Sequence, residues 1–199
     1  MVWKYGTYHE KVGVNKMATV YRVEADFLRF RSFTFAHISY FARQYHYTCQ
    51  RLKNRWRNPK GTALVPKDLR RGDFAGVFGR EPFAIDMKTA HLISRFVEQS
   101  CELLPLLFNG QEFGILHVVH LVDCLDGRRC KRNQKPPYVD KYHFHRTRFQ
   151  NSLFKIPQTK DVETLCVQGL YPAENDFKVR VQRLRLKGLS FTKLWSSTD

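Results

Sequence analysis

The sequence predicts a single α+β domain with a mixed, mostly antiparallel sheet and two main helices. Three observations carry this expectation. The chain has 199 residues, of which 43% are hydrophobic and 14% aromatic, enough for one ordinary core and unlike a disordered or fibrous chain. An apolar stripe at helical spacing occurs twice, over Met87–Leu104 and between Pro172 and Gly188. Runs of strand length occur elsewhere, the strongest being Phe113–Asp123.

Residues 1–16 are poorly patterned and read as a leader or extension, so the domain is expected over 17–199. Met17 precedes a β-like run from Ala18 to Glu24. Phe27, Phe30, Phe33 and Phe35, with Arg29 and Arg31 among them, fit an edge strand with a turn. Gln50–Asp73 is loop-like, punctuated by Pro59, Gly61, Pro66 and Gly72. The first helix runs from Met87 to Leu104, with Ala90, Ile93, Val97, Cys101 and Leu104 in its stripe. Asp86 serves as its N-cap and Pro105 closes it.

Asn109-Gly110 makes a turn into the strand Phe113–Asp123, which is apolar on both faces and therefore interior. Tyr142–Arg148 alternates, with Tyr142 and Phe144 on one side and His143 and His145 on the other. Ser152–Ile156 and Val162–Val167 are short strands. Pro172 opens the last helix, whose inner face is Phe177, Val181 and Leu184; Gly188 ends it, and Leu189–Leu194 returns as a strand.

Charge narrows the classes of partner. The formal net charge is +16, and residues 1–60 hold twelve Lys and Arg against three acids. Such an excess suits nucleic acid, an anionic membrane or an acidic protein, and equally a solvated surface. One basic run places Arg51, Lys53, Arg55, Arg57 and Lys60 around Trp56, then Lys67, Arg70 and Arg71. Arginines neutralise phosphates and a tryptophan face stacks on bases, so this run fits nucleic acid as well as a solvated loop anchored by Trp56. A second basic stretch comprises Arg128, Arg129, Lys131, Arg132 and Lys135. Five cysteines with no CxxC pair match no zinc site and suit a reduced cytoplasm. The apolar stretch Phe113–Cys124 is too short and too polar to span a bilayer, so no membrane insertion is expected.

Catalytic chemistry has one lead. His143 and His145, two positions apart, fit an acid–base pair on a phosphodiester or a shared metal, with Asp140 and the basic loop holding phosphate. Their structural explanation is a solvent-facing edge. His117 and His120 share a face only on a helix; on a strand they are core or boundary residues. Asp123 and Asp126 fit a cation site or turn capping, and capping is the commoner role. Positive neighbours would lower the pKa of Cys130, but no nucleophile–base pair is assembled around it. No GxGxxG, GxxxxGK[ST] or GxSxG motif occurs. The expectation is a non-enzyme without cofactor or metal.

Several segments in order resemble a known family. They are the opening strand Tyr21–Glu24, Asp73-Phe74, the Phe83–Leu104 unit and the Leu104–His120 turn-and-strand unit. Val122-Asp123-Cys124-Leu125-Asp126 follows, then Gly169-Leu170-Tyr171 and Lys187-Gly188-Leu189-Ser190-Phe191, running on to Leu194-Trp195. Over residues 18–199 the chain resembles the eleventh family of immunity proteins from bacterial polymorphic toxin systems, formerly a domain of unknown function. The resemblance implies a cytoplasmic α+β protein that binds a cognate toxin stoichiometrically, with motif positions acting as fold determinants. The positive charge then implies an acidic or mainly apolar toxin surface. The expected contacts lie in loops 51–71 and 128–135, with Arg55, Trp56, Arg57, Arg129 and Arg132 as anchors. A nucleic-acid-binding module, for instance in phage defence, is the alternative.

Overall fold

Residues 17–35, 49–57, 59, 62–77, 82–132, 139–159 and 163–199 are described by a computed structural model of the chain. The expected leader, residues 1–16, lies outside them. In chain order the strands are β1 (Thr19–Ala25), β2 (Ser32–Phe35), β3 (Thr62–Val65), β4 (Phe74–Gly76), β5 (Phe83–Asp86) and β6 (Cys101–Phe108). They continue as β7 (Gln111–Val118), β8 (Lys131–Arg132), β9 (Val139–Lys141), β10 (Leu153–Phe154), β11 (Leu165–Gln168) and β12 (Leu189–Ser196). Helix α1 (Met87–Val97) follows β5, and α2 (Phe177–Arg183) lies between β11 and β12. This is the expected single-domain α+β fold.

One sheet has the order β10-β11-β1-β12 and another β4-β5-β7-β6, all of their pairings antiparallel. Side-chain alternation splits the core accordingly. Phe83, Ile85, Leu116 and Val118 point from the second sheet into a cluster that also takes Val23, Ala25 and Cys166 from the first. Both helices fill that shared space, α1 with Ala90, Ile93 and Val97 and α2 with Phe177 and Val181. The opposite face of the second sheet presents Ala84, Leu104, Leu106, Phe113 and Ile115 to Phe33, Phe35, Leu52 and Trp56. The opposite face of the first sheet presents Val20, Leu165, Val167 and Trp195 to Val122, Tyr142, Phe144 and Phe149. Strand β7 is flanked by β5 and β6, as its two apolar faces require.

Three helix boundaries differ from expectation; one is the end of α2, which lies at Arg183 instead of at Gly188. The Asp86 carboxylate does cap α1, accepting from Thr89 N at 2.7 Å. The helix then ends at Val97 rather than Leu104. The Ser100 amide turns back to the Val97 carbonyl at 2.9 Å, and the chain enters β6. Cys101 and Leu104 therefore point to opposite sides of a sheet, and Pro105 sits in an edge strand, where a missing N–H is tolerated. Pro172 lies in a turn closed by Asn175 N to the Pro172 carbonyl at 2.9 Å. Helix α2 begins only at Phe177, where Asp176 supplies the cap by accepting from Val179 N at 3.1 Å. An internal carboxylate cap thus takes precedence over the proline.

Candidate partner-binding surface

The predicted anchors do not share one environment. Arg55 is exposed and donates to Gln50 Oε1 at 3.2 Å; Arg57 is exposed and donates to the Trp56 carbonyl at 3.2 Å. Trp56 is 6% exposed, its indole Nε1 donating to the Pro105 carbonyl at 2.8 Å. The ring is a core group, so the expectation of a projecting anchor is corrected here, and the same burial removes it as a base-stacking platform. The surrounding segment is pinned to β6 and β7 as well. The Leu52 amide donates to the Glu102 carboxylate, the Lys53 amide reaches its other oxygen at 3.4 Å, and His117 Nε2 bonds the Gln50 carbonyl at 2.9 Å. This basic segment closes the β6 edge, which would otherwise be open to strand pairing.

Arg129 lies at the other basic stretch, exposed, in a turn whose amides from Arg129 and Cys130 both donate to the Asp126 carbonyl. Arg132 is in β8, and its side chain lies outside the described residues, as do Asn133–Tyr138. Leu52 and Trp56 belong to the cluster containing Phe33, whereas Cys130 packs on the one containing Phe144. The two basic segments are thus seated on different core clusters.

The histidine pair is also separated. Residues 142–145 form an isolated bridge, Leu125 to Phe144, instead of a regular strand, and Tyr142, His143 and Phe144 are all buried. His143 is 5% exposed, its Nδ1 has no hydrogen-bond partner among the described residues, and burial, with Arg129 and Lys141, lowers its pKa. His145 is partly exposed, 4.0 Å from Asp126 Oδ1. They do not present two imidazoles to one substrate. His117 is fully buried and His120 half-buried, and burial lowers the pKa of both. Asp126 caps its own turn, its Oδ1 accepting from Arg128 N at 3.1 Å, while Asp123 Oδ1 accepts from Gln158 Nε2 at 2.7 Å. Asp140 is exposed on β9. Cys130 Sγ accepts from His143 N at 3.2 Å, and burial pushes the Cys124 thiol up to about 12. Among the described residues, no group of three or more His, Cys, Asp and Glu is arranged to hold a metal.

A surface that the sequence did not reveal is built where three segments meet. The first is the turn after β1, where the Arg29 and Phe30 amides donate to the Asp26 carbonyl and the Asp26 carboxylate holds the Arg29 guanidinium. The second is 67–74, fastened to the first by Arg31 N to the Arg70 carbonyl at 2.8 Å and Arg31 Nε to the Leu69 carbonyl at 2.6 Å. The third is 186–190, fastened by Lys187 N to Asp73 Oδ2 at 2.6 Å, Phe74 N to the Lys187 carbonyl at 2.9 Å and Asp26 N to the Gly188 carbonyl at 2.9 Å. Gly188 has φ +104°, and a Cβ there would lie 1.9 Å from the Phe74 carbonyl oxygen, so only glycine permits this approach.

Between these segments opens a cleft of about 710 Å³; a second of about 380 Å³ lies on the other side of the turn. Leu28 and Arg29 line both, and Leu28 is 76% exposed, with Phe27 beside it at 38%. Arg70, Lys187 and Asp68 bring charge to the larger cleft, and Leu69, Leu186 and Leu189 line it with apolar surface. Arg70 belongs to the predicted basic loop. Leu28 was missed because Phe27-Leu28 between an acid and an arginine reads as an ordinary chain turn.

No family model matches the chain, and no curated protein matches it.

Proposed function

We propose that this protein binds and neutralises a cognate protein toxin by stoichiometric contact, in the manner of an immunity protein. The observation that carries the reading is the preformed surface around Leu28. A large apolar side chain stands in solvent between two clefts, with exposed cations at the rim and hydrogen-bonded backbone beneath. Exposed apolar groups rimmed by charge mark protein-binding sites more than reaction centres. The ordered resemblance of residues 18–199 to the eleventh immunity family points to the same class of activity and to a bacterial cytoplasm. No helix among the described residues is long and apolar enough to cross a membrane.

The test is co-expression of the full chain with the toxin encoded beside its gene. Restored growth of the host and a one-to-one complex in light scattering are expected. Continued toxicity with no complex refutes the proposal. A second reading, nucleic-acid binding, is favoured by the net charge of +16 and the exposed Arg55, Arg57 and Arg129. It predicts gel-shift affinity that falls by roughly 0.7–0.9 log units per log unit of salt for each phosphate contact. Absence of any shift at low salt removes it.

A further inference from the structure

We infer that the larger cleft receives an extended segment of the protein partner in which carboxylates alternate with apolar side chains. This inference rests on the partner-binding reading above and assigns the surface and chemistry through which it would operate. The apolar half of the recognition comes from Leu28, 76% exposed, and from the partly buried Leu69, Leu186 and Leu189 along the lining. A partner side chain laid against them would remove Leu28 from water, a favourable burial of apolar surface.

The charge on the lining sorts into spent and available groups. Arg29 is held by the Asp26 carboxylate, so its charge is largely compensated within the protein. Among the described residues, the Arg70 guanidinium and the Lys187 ammonium have no hydrogen-bond or ion-pair partner, and both side chains are exposed on the lining. Lys67 and Arg185, also exposed, flank them in sequence. Among the described residues, Asp68 is the one acid of the lining that stands against these without an ion-pair partner. The balance selects carboxylates, while Asp68 disfavours an unbroken acidic run and favours spaced acids. Charge complementarity of this kind raises the association rate and fixes orientation. Because the three segments are already fastened to one another by hydrogen bonds, little ordering is required on binding.

The test uses the full chain, labelled with ¹⁵N, titrated with an eight-residue peptide alternating Asp and Leu and with its Asn/Leu counterpart. Resonance shifts are expected at 26–30, 67–70 and 186–189, with the Asn peptide at least tenfold weaker. Leu28→Asp, and Arg70→Glu combined with Lys187→Glu, should each weaken the Asp peptide tenfold or more. Arg55→Glu and Arg129→Glu should change it less than twofold. All these side chains are exposed, and circular dichroism with thermal melting verifies that each variant is folded. No shift at millimolar peptide, shifts mapping elsewhere, equal binding of the Asn peptide, or unchanged binding by the folded cleft variants overturns the inference. The wider reading is judged separately. A toxin neutralised equally well by wild type and Leu28→Asp overturns the cleft and leaves partner binding standing, whereas a toxin bound by neither overturns the reading itself.

Discussion

Replacing Trp56 separates a core group from a contact group at the centre of the first basic run. Its ring is 6% exposed among Phe33, Leu52, Leu104 and Leu106, and its Nε1 donates to the Pro105 carbonyl at 2.8 Å. Trp56→Ala removes the buried ring and leaves a cavity, a change that typically costs about 3–5 kcal/mol. Trp56→Phe keeps most of the apolar contact but leaves the Pro105 oxygen without its donor, costing roughly 1 kcal/mol from the hydrogen bond and somewhat more from the lost volume. In urea, with a slope of about 2–3 kcal/mol per molar, the alanine variant should unfold roughly 1–2.5 M earlier than wild type by far-ultraviolet circular dichroism. Arg55→Ala and Arg57→Ala, both exposed, should stay within about 0.5 kcal/mol. A Trp56→Ala midpoint within about 0.2 M of wild type would refute the assignment of this ring to the core.

Other perturbations have equally definite outcomes. Gly188→Ala, at φ +104° with its Cβ 1.9 Å from the Phe74 oxygen, should cost more than about 2 kcal/mol in thermal unfolding and broaden the resonances around the larger cleft. Asp176→Ala should cost about 1–2 kcal/mol by unfastening α2, since that carboxylate accepts from both Val179 N and Gly169 N; an unchanged melting temperature would contradict the cap. His117, His120 and His143 have folded-state pKa values lowered below the ordinary 6.5, chiefly by burial. The unfolded chain therefore binds more protons as pH falls through about 6.5, and stability should decline from there downward. Melting temperatures from pH 8 to 5 measure this, and His117→Gln should flatten the slope.

The elements most legible in the sequence are those in which one local signal governs. Asp86 before an apolar stripe gave the start of α1, and the doubly apolar run gave β7 as an interior strand. The end of α1 was not legible. Cys101 and Leu104 continue the helical spacing by coincidence, and only the pairing of β6 with β7 assigns them to a sheet. At 142–145 a polar–apolar alternation did not produce a strand with one wet face, because tertiary packing buries His143 along with its neighbours. The cationic clusters were readable as composition, but their division between two core clusters was not. The cleft around Leu28 is assembled from segments far apart in the chain, and no window of sequence contains it.

The pairing of β1 with β12 imposes an order on biosynthesis. Thr19 lies opposite Ser196; the Ser197 amide donates to the Ala18 carbonyl at 2.8 Å and the Ala18 amide to Ser197 Oγ at 3.0 Å, across a separation of 179 residues. On a translating ribosome β1 has no β11 or β12 to meet until the strands and helices between them have been made. Its Val20 and Val23, destined for opposite cores, are meanwhile uncovered. Long-range closure of this kind is slow and leaves strand edges exposed until it occurs, so this sheet is completed only after β12 has been made.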